Sequence, residues 1–159
     1  MSFKTTGSRN RHGIRRRAGS ATVELALTLS ILLSICYGTI EYGYYFFVKN
    51  TMEGAAREGC RAGIVSGAAN SDVTTAVINQ LVAAGLLPAN SLTTGNYTVT
   101  INPAGSPEAG LSVPNTPIGT TLTVQISATW SVVGSGFRPM ALIGAGKTVL
   151  TASAMRKEG

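Results

Sequence analysis

From Leu25 to Ile40 the chain runs sixteen residues without a charge, and few folds can house such a stretch. As a helix it reaches roughly 24 Å, short of a hydrocarbon core of about 30 Å. Beyond Glu41, however, come Tyr42, Tyr44, Tyr45, Phe46, Phe47 and Val48, and only then Lys49. Five of the ten aromatic residues of the chain therefore crowd into Tyr42 to Phe47. Such rings gather at membrane–water boundaries because they join a flat apolar body to polar edges. Carried on to Val48 the run reaches about 36 Å, enough to cross with some tilt. The sequence thus predicts a transmembrane span over about 25–48. The other reading, a buried helix of a soluble protein, fits the charged flank less well.

That flank holds most of the charge asymmetry. The formal charge is +6, yet six of the thirteen basic residues, Lys4, Arg9, Arg11, Arg15, Arg16 and Arg17, precede residue 20. Seven basic and seven acidic residues remain from Ser20 onward, so that part is formally neutral. A nucleic-acid surface needs cations clustered on the folded part, so no nucleic-acid partner is expected. Arg15, Arg16 and Arg17 read instead as the cytoplasmic flank that orients a span beside membrane lipid. A secretory signal removed after the apolar run is disfavoured, because Cys36–Glu41 sets Tyr37 and Ile40 where small residues are required.

Past Lys49 the helical pattern continues. Residues 49–63 contain no proline, and Glu53–Arg57 and Glu58–Arg61 are spaced as ion pairs. Ala55, Gly59 and Gly63 form a small-residue ridge that invites close approach by other backbone. Asn70-Ser71-Asp72 can cap a second helix with Val73, Ala76, Val77, Val82 and Leu86 on its apolar face, closed by Pro88 and Asn90. Tyr97–Ile101 alternates as a short strand, and Thr121–Val132 sets Leu122, Val124, Ile126, Ala128, Trp130 and Val132 on one face. Between them, residues 102–119 hold four of the six prolines and form a loop. A turn region over 134–146 leads to a last strand over 147–155. The expected fold is α+β: a long N-terminal transmembrane helix, a second short helix, and a small antiparallel sheet on the outer half of the long one. The expected division is a basic leader 1–19, a long helix 20–67 and an extracytoplasmic domain 68–159.

For chemistry the residues offer little. The single histidine, His12, lies in the leader, and Cys36 and Cys60 would stand about 36 Å apart on one helix. Neither cysteine has a ligand neighbour at useful spacing, so no metal, cofactor or catalytic site is expected and the chain is not read as an enzyme. Ala141–Thr148 satisfies a relaxed phosphate-loop pattern, but strand-like residues follow it and no aspartate occurs after Asp72. Asn96-Tyr97-Thr98 is a glycosylation triplet without supporting context.

The junction of leader and apolar run is the most specific feature. Arg15-Arg16-Arg17-Ala18-Gly19 is followed by Ser20-Ala21-Thr22-Val23-Glu24-Leu25. A glycine ending a basic leader, with a glutamate five residues later, resembles a type IV prepilin processing site. More closely it resembles the TadE-like pseudopilins of tight-adherence pilus systems. Thr39–Gly43 and Ala55–Arg61 are similar to motifs of that family, and Ala152–Glu158 more weakly so.

The resemblance implies a precursor in the cytoplasmic membrane, N-terminus inside, cut between Gly19 and Ser20 by a prepilin peptidase. It would act in pilus assembly and cell adhesion with other pilins or pseudopilins and the pilus assembly platform. It also implies an assembly role for Glu24 and Glu41. A new ammonium at Ser20 would offset the cost of a carboxylate in lipid by pairing with Glu24 of a neighbouring subunit. Alternatively, Glu24 sits in the headgroup layer beside the arginines, and Glu41 beside the aromatic rings is simply wet. Two other classes stay open: an uncleaved membrane-anchored binding or adhesion module that uses its loops, and a membrane-tethered enzyme, which the missing imidazole disfavours.

Overall fold

The structure is a computed structural model that describes residues 12–133 and 141–158, the side chains of 12–18 excepted. Leader residues 1–11, the side chains of Arg15, Arg16 and Arg17, and residues 134–140 of the second loop lie outside it. Helix α1 (His12–Gly63) runs 52 residues without a break, about 78 Å. It is apolar and long enough to cross a membrane.

α1 changes character partway along. From Gly19 to Tyr37 every residue is exposed, and Leu25, Leu27, Ile31 and Ile35 each present more than 60% of their surface. Burial begins at Gly38 and then recurs at Glu41, Val48, Met52, Ala55, Ala56, Gly59, Cys60 and Gly63, with Tyr44 and Tyr45 half-buried. Those steps of three and four draw one stripe along the helix. The apolar first half has no covered face; the second half has one.

The stripe is covered by α2 (Asn70–Ala83) and by a three-stranded sheet of β1 (Thr98–Ile101), β2 (Thr121–Thr129) and β3 (Thr148–Arg156). The sheet is an antiparallel meander in the order β1-β2-β3, with Val99 opposite Ile126 and Val124 opposite Ser153. β2 is central, and Leu122, Val124, Ile126 and Ala128 point into the core while Thr, Gln and Ser point out. The expected α+β arrangement is therefore the observed one.

Several details differ from the sequence reading, each for a local reason. Val77, Ile78 and Leu81 join Val73 in the buried face of α2, whereas Val82 is only half-buried. Its N-cap is Ala69, which has no side-chain acceptor; Asp72 reaches back to accept the Ala69 N–H at 2.8 Å. Asn70 turns away, its Oδ1 accepting the Val113 N–H at 2.7 Å. The helix stops well before Pro88. Gly85, at φ +75°, lets Leu86 N–H return to the Leu81 carbonyl and its own N–H to Val82, the paired bonds of a Schellman end. β2 ends at Thr129, and Trp130–Val133 forms one helical turn, α3. Trp130 keeps the inward side of the strand pattern, whereas Val132 is turned out.

The Ala55–Gly59–Gly63 ridge is where the domain docks, but side chains, not backbone, press on it. A Cβ on Gly63 would lie 2.5 Å from Leu122 Cδ2 and 2.8 Å from Val73 Cγ2, and one on Gly59 2.8 Å from Val77 Cγ2. Val73 and Val77 are β-branched and stiff, so they cannot swing away. A Cβ on Gly54, in the same helix, would meet nothing within 4 Å. Gly63→Ala is expected to destabilise the domain by about 1–3 kcal/mol through overpacking, partly offset by helix propensity. Gly54→Ala should stabilise it by up to about 1 kcal/mol. Denaturant unfolding of the detergent-solubilised variants, followed by Trp130 fluorescence, measures both.

Candidate functional site

Two regions of α1 hold the residues marked by the sequence. The first is the Gly19–Glu24 turn. Gly19 and Ser20 are exposed and helical, and a Cβ on Gly19 would have nothing within 4 Å. Glu24 is exposed, and among the described residues its carboxylate has no hydrogen bond or ion pair. Its backbone carbonyl accepts from Thr28 Oγ1 at 2.9 Å. The next hydroxyls do likewise: Ser30 to Ala26, Ser34 to Ser30 and Thr39 to Ile35, at 2.8–2.9 Å. Each turns its polar group into its own helix, which suits a segment that water cannot reach. Glu24 is the one carboxylate in this stretch, and among the described residues it has no such local outlet.

The second region is the joint at Glu41, which is fully buried. Its Oε1 accepts the backbone N–H of Ile143 at 3.0 Å, tying the segment before β3 to the helix. Leu142, next to it, lies over Gly38, where a Cβ would come within 3.2 Å of its Cδ1. One turn further, Tyr44 and Tyr45 pack on Trp130, with ring centroids at 5.8 and 5.2 Å. Tyr44 also donates to the Val133 carbonyl at 3.4 Å. The aromatic cluster is therefore split. Tyr44 and Tyr45 hold the domain, while Tyr42, Phe46 and Phe47 stay about half-exposed. Glu41, expected beside Glu24 as an assembly residue, is engaged within its own chain.

Above this joint Cys60 is buried, its Sγ–H donating to the Ser153 carbonyl at 3.1 Å. Burial pushes its thiol up from the usual range. Burial, with Tyr44 adding to it, likewise pushes the Tyr97 phenol up to about 12. Although Cys60 stands beyond the apolar run, it lies inside the domain, where β2 and β3 cover the sulfur.

The 102–119 loop was legible only as a loop, yet it is tightly held. Asn102, buried at φ +47°, donates to the Leu111 carbonyl and Thr116 Oγ1 and accepts the Thr123 N–H, at 2.9–3.0 Å. Lys157 lies 7% exposed, and its ammonium donates to the Val113 and Thr116 carbonyls at 2.6 and 2.9 Å. The Asn-Pro step at 102–103 was the one local signal for this device; nothing marked Lys157. After the 141–147 segment the chain enters strand β3, not the helix a phosphate loop requires. Among the described residues no three His, Cys, Asp or Glu side chains cluster as a metal site would need.

These features define a long helix with an uncovered apolar half, topped by a small α+β domain clasped to the other half. Residues 19–61 match the family model described as TadE-like protein. The match begins at Gly19, takes in Glu24 and Glu41, and ends one residue past Cys60. This long-helix segment is TadE-like, as its motifs suggested. No curated protein and no solved structure matches the chain.

At pH 8 a maleimide probe should modify Cys36, exposed on the uncovered half, within minutes in detergent. Cys60 should react at least about 100-fold more slowly, until denaturant opens the domain, because both burial and its raised pKa withhold the thiolate. Mass spectrometry of tryptic peptides separates the two sites.

Proposed function

We propose that the chain is a membrane-anchored pseudopilin of a tight-adherence pilus system, cut by a prepilin peptidase between Gly19 and Ser20. The observation that carries this reading is Glu24, an exposed carboxylate without a partner among the described residues, one helical turn past the cleavage junction. An ionisable residue in a lipid-crossing helix is costly and as a rule functional. After cleavage the Ser20 ammonium of a neighbouring subunit supplies the missing partner. The arginine flank sets the N-terminus in the cytoplasm and the domain outside. Other pilins and the assembly platform are the partners, with the TadE-like segment as the shared element.

Within the division 20–67 and 68–159 we set the lipid-crossing stretch at about 19–40, earlier than 25–48. Glu41 and Val48 are wholly covered by protein and have no face left for lipid. Gly19–Ile40 spans about 33 Å, which fits the hydrocarbon thickness and places Glu24 inside it. Glu41 then acts in positioning the domain, not in subunit contact.

The test reads processing and assembly in the same cells. Intact mass of the membrane-extracted protein should give a chain beginning at Ser20. Glu24→Val should lose its leader and stay in the membrane, yet crosslink to pilus components at least about tenfold less, with Glu24→Asp intermediate. A chain that retains residues 1–19 beside an active prepilin peptidase would favour an uncleaved anchored adhesion module. Parental assembly by Glu24→Val would reduce Glu24 to an interfacial residue.

A further inference from the structure

At the joint between helix and domain there is a small open cavity of about 200 Å³. Its walls are Tyr42 and Tyr45 of α1, and Leu142, Ile143, Gly144 and Lys147 of the turn before β3. We infer that this cavity is a headgroup site for one anionic phospholipid of the leaflet on the domain side. The inference rests on the lipid-crossing stretch ending near Ile40, as proposed above.

Position is the first argument. Tyr42 and Tyr45 stand two and five residues beyond Ile40, about 3–8 Å further along the axis. The polar layer of a bilayer leaflet is about 5–8 Å deep. The cavity therefore opens at the level of the phosphates, not of the acyl chains or of bulk water.

Charge is the second. Lys147 is exposed and forms no ion pair among the described residues. Glu41, adjacent to Tyr42 on α1, is fully buried and is not part of the cavity wall, its carboxylate accepting the Ile143 amide. Lys147 thus offers an ammonium on a flexible stem at phosphate level, where one cation is worth about fivefold in affinity for an anionic surface.

Shape is the third. Leu142, 50% exposed, lies over Gly38, whereas the Lys147 carbonyl accepts from the N–H of Trp130, whose ring packs on Tyr45, so the rim next to the bilayer is apolar and the backbone of Lys147 stands further out. That order, apolar rim then cation, matches the order of glycerol backbone and phosphodiester in a lipid. It also gives the Gly144–Lys147 turn, whose resemblance to a nucleotide loop failed in context, a use for its lysine.

Native mass spectrometry of the full chain released from nanodiscs tests the inference. Discs contain phosphatidylglycerol and phosphatidylcholine in equal amounts, with membrane embedding verified separately by resistance to carbonate extraction. The parent should retain one phosphatidylglycerol with about fivefold preference. Lys147→Gln should lose that preference, and Arg57→Gln, far along the helix, should keep it. Inorganic phosphate at millimolar concentration should not displace the lipid. Embedded protein whose preference survives Lys147→Gln overturns the headgroup site and leaves the anchored reading intact. Displacement by phosphate overturns the lipid as the ligand. Extraction by carbonate overturns the lipid-crossing stretch itself.

Discussion

A single unbroken helix has to satisfy two surroundings, and the place where it changes from one to the other governs the molecule. From Gly19 to Tyr37 the side chains are mostly apolar and uncovered on every side; from Gly38 onward one stripe is sealed by protein. Because α1 does not break between these halves, the domain cannot swing on a tether. It is clasped at Glu41, at the Tyr44–Tyr45–Trp130 cluster, and along Ala55, Gly59 and Gly63. A buried carboxylate is costly unless its hydrogen bonds are made inside. Glu41 thereby ties the segment preceding β3 to one turn of α1.

The two glutamates that look alike in the sequence are separated by this change of surroundings. Glu24 and Glu41 both interrupt an apolar run, about 26 Å apart on one helix. Among the described residues Glu24 has no partner, whereas Glu41 is held by the Ile143 amide. The difference lies in whether a distant strand arrives to cover the site, which spacing along a helix does not reveal.

Much of the fold was readable because periodicity carries it. β2 alternates so regularly that its inward set survives even where the strand gives way to α3 at Trp130. The long helix was legible from its charge-free run, the absence of proline over 49–63 and its ion-pair spacings, and the small-residue ridge correctly marked the docking line. What escaped were the contacts made between elements far apart in sequence. Glu41 with Ile143, Cys60 under Ser153, and Lys157 beneath the 102–119 loop each join residues dozens of positions apart. The aromatic cluster was partly legible: five boundary rings were expected, but two of them pack against the core, because Trp130 meets Tyr44 and Tyr45 from just past the end of β2. Gly85, not Pro88 and Asn90 beyond it, ends α2, since the chain needed a left-handed residue there.

The proposed function requires α1 to pass from lipid to protein at Ile40–Glu41. Residue-level photolabelling of the full chain in phospholipid bilayers, with a carbene reagent confined to the acyl region, measures that boundary without altering a side chain. Labelling should run around all sides of α1 from Val23 to Tyr37, continue at Thr39 and Ile40, and be absent at Glu41, Val48 and Met52. Labelling of Val48 and Met52 as strong as that of Leu33 would mean that lipid, not the domain, covers the outer half of the helix.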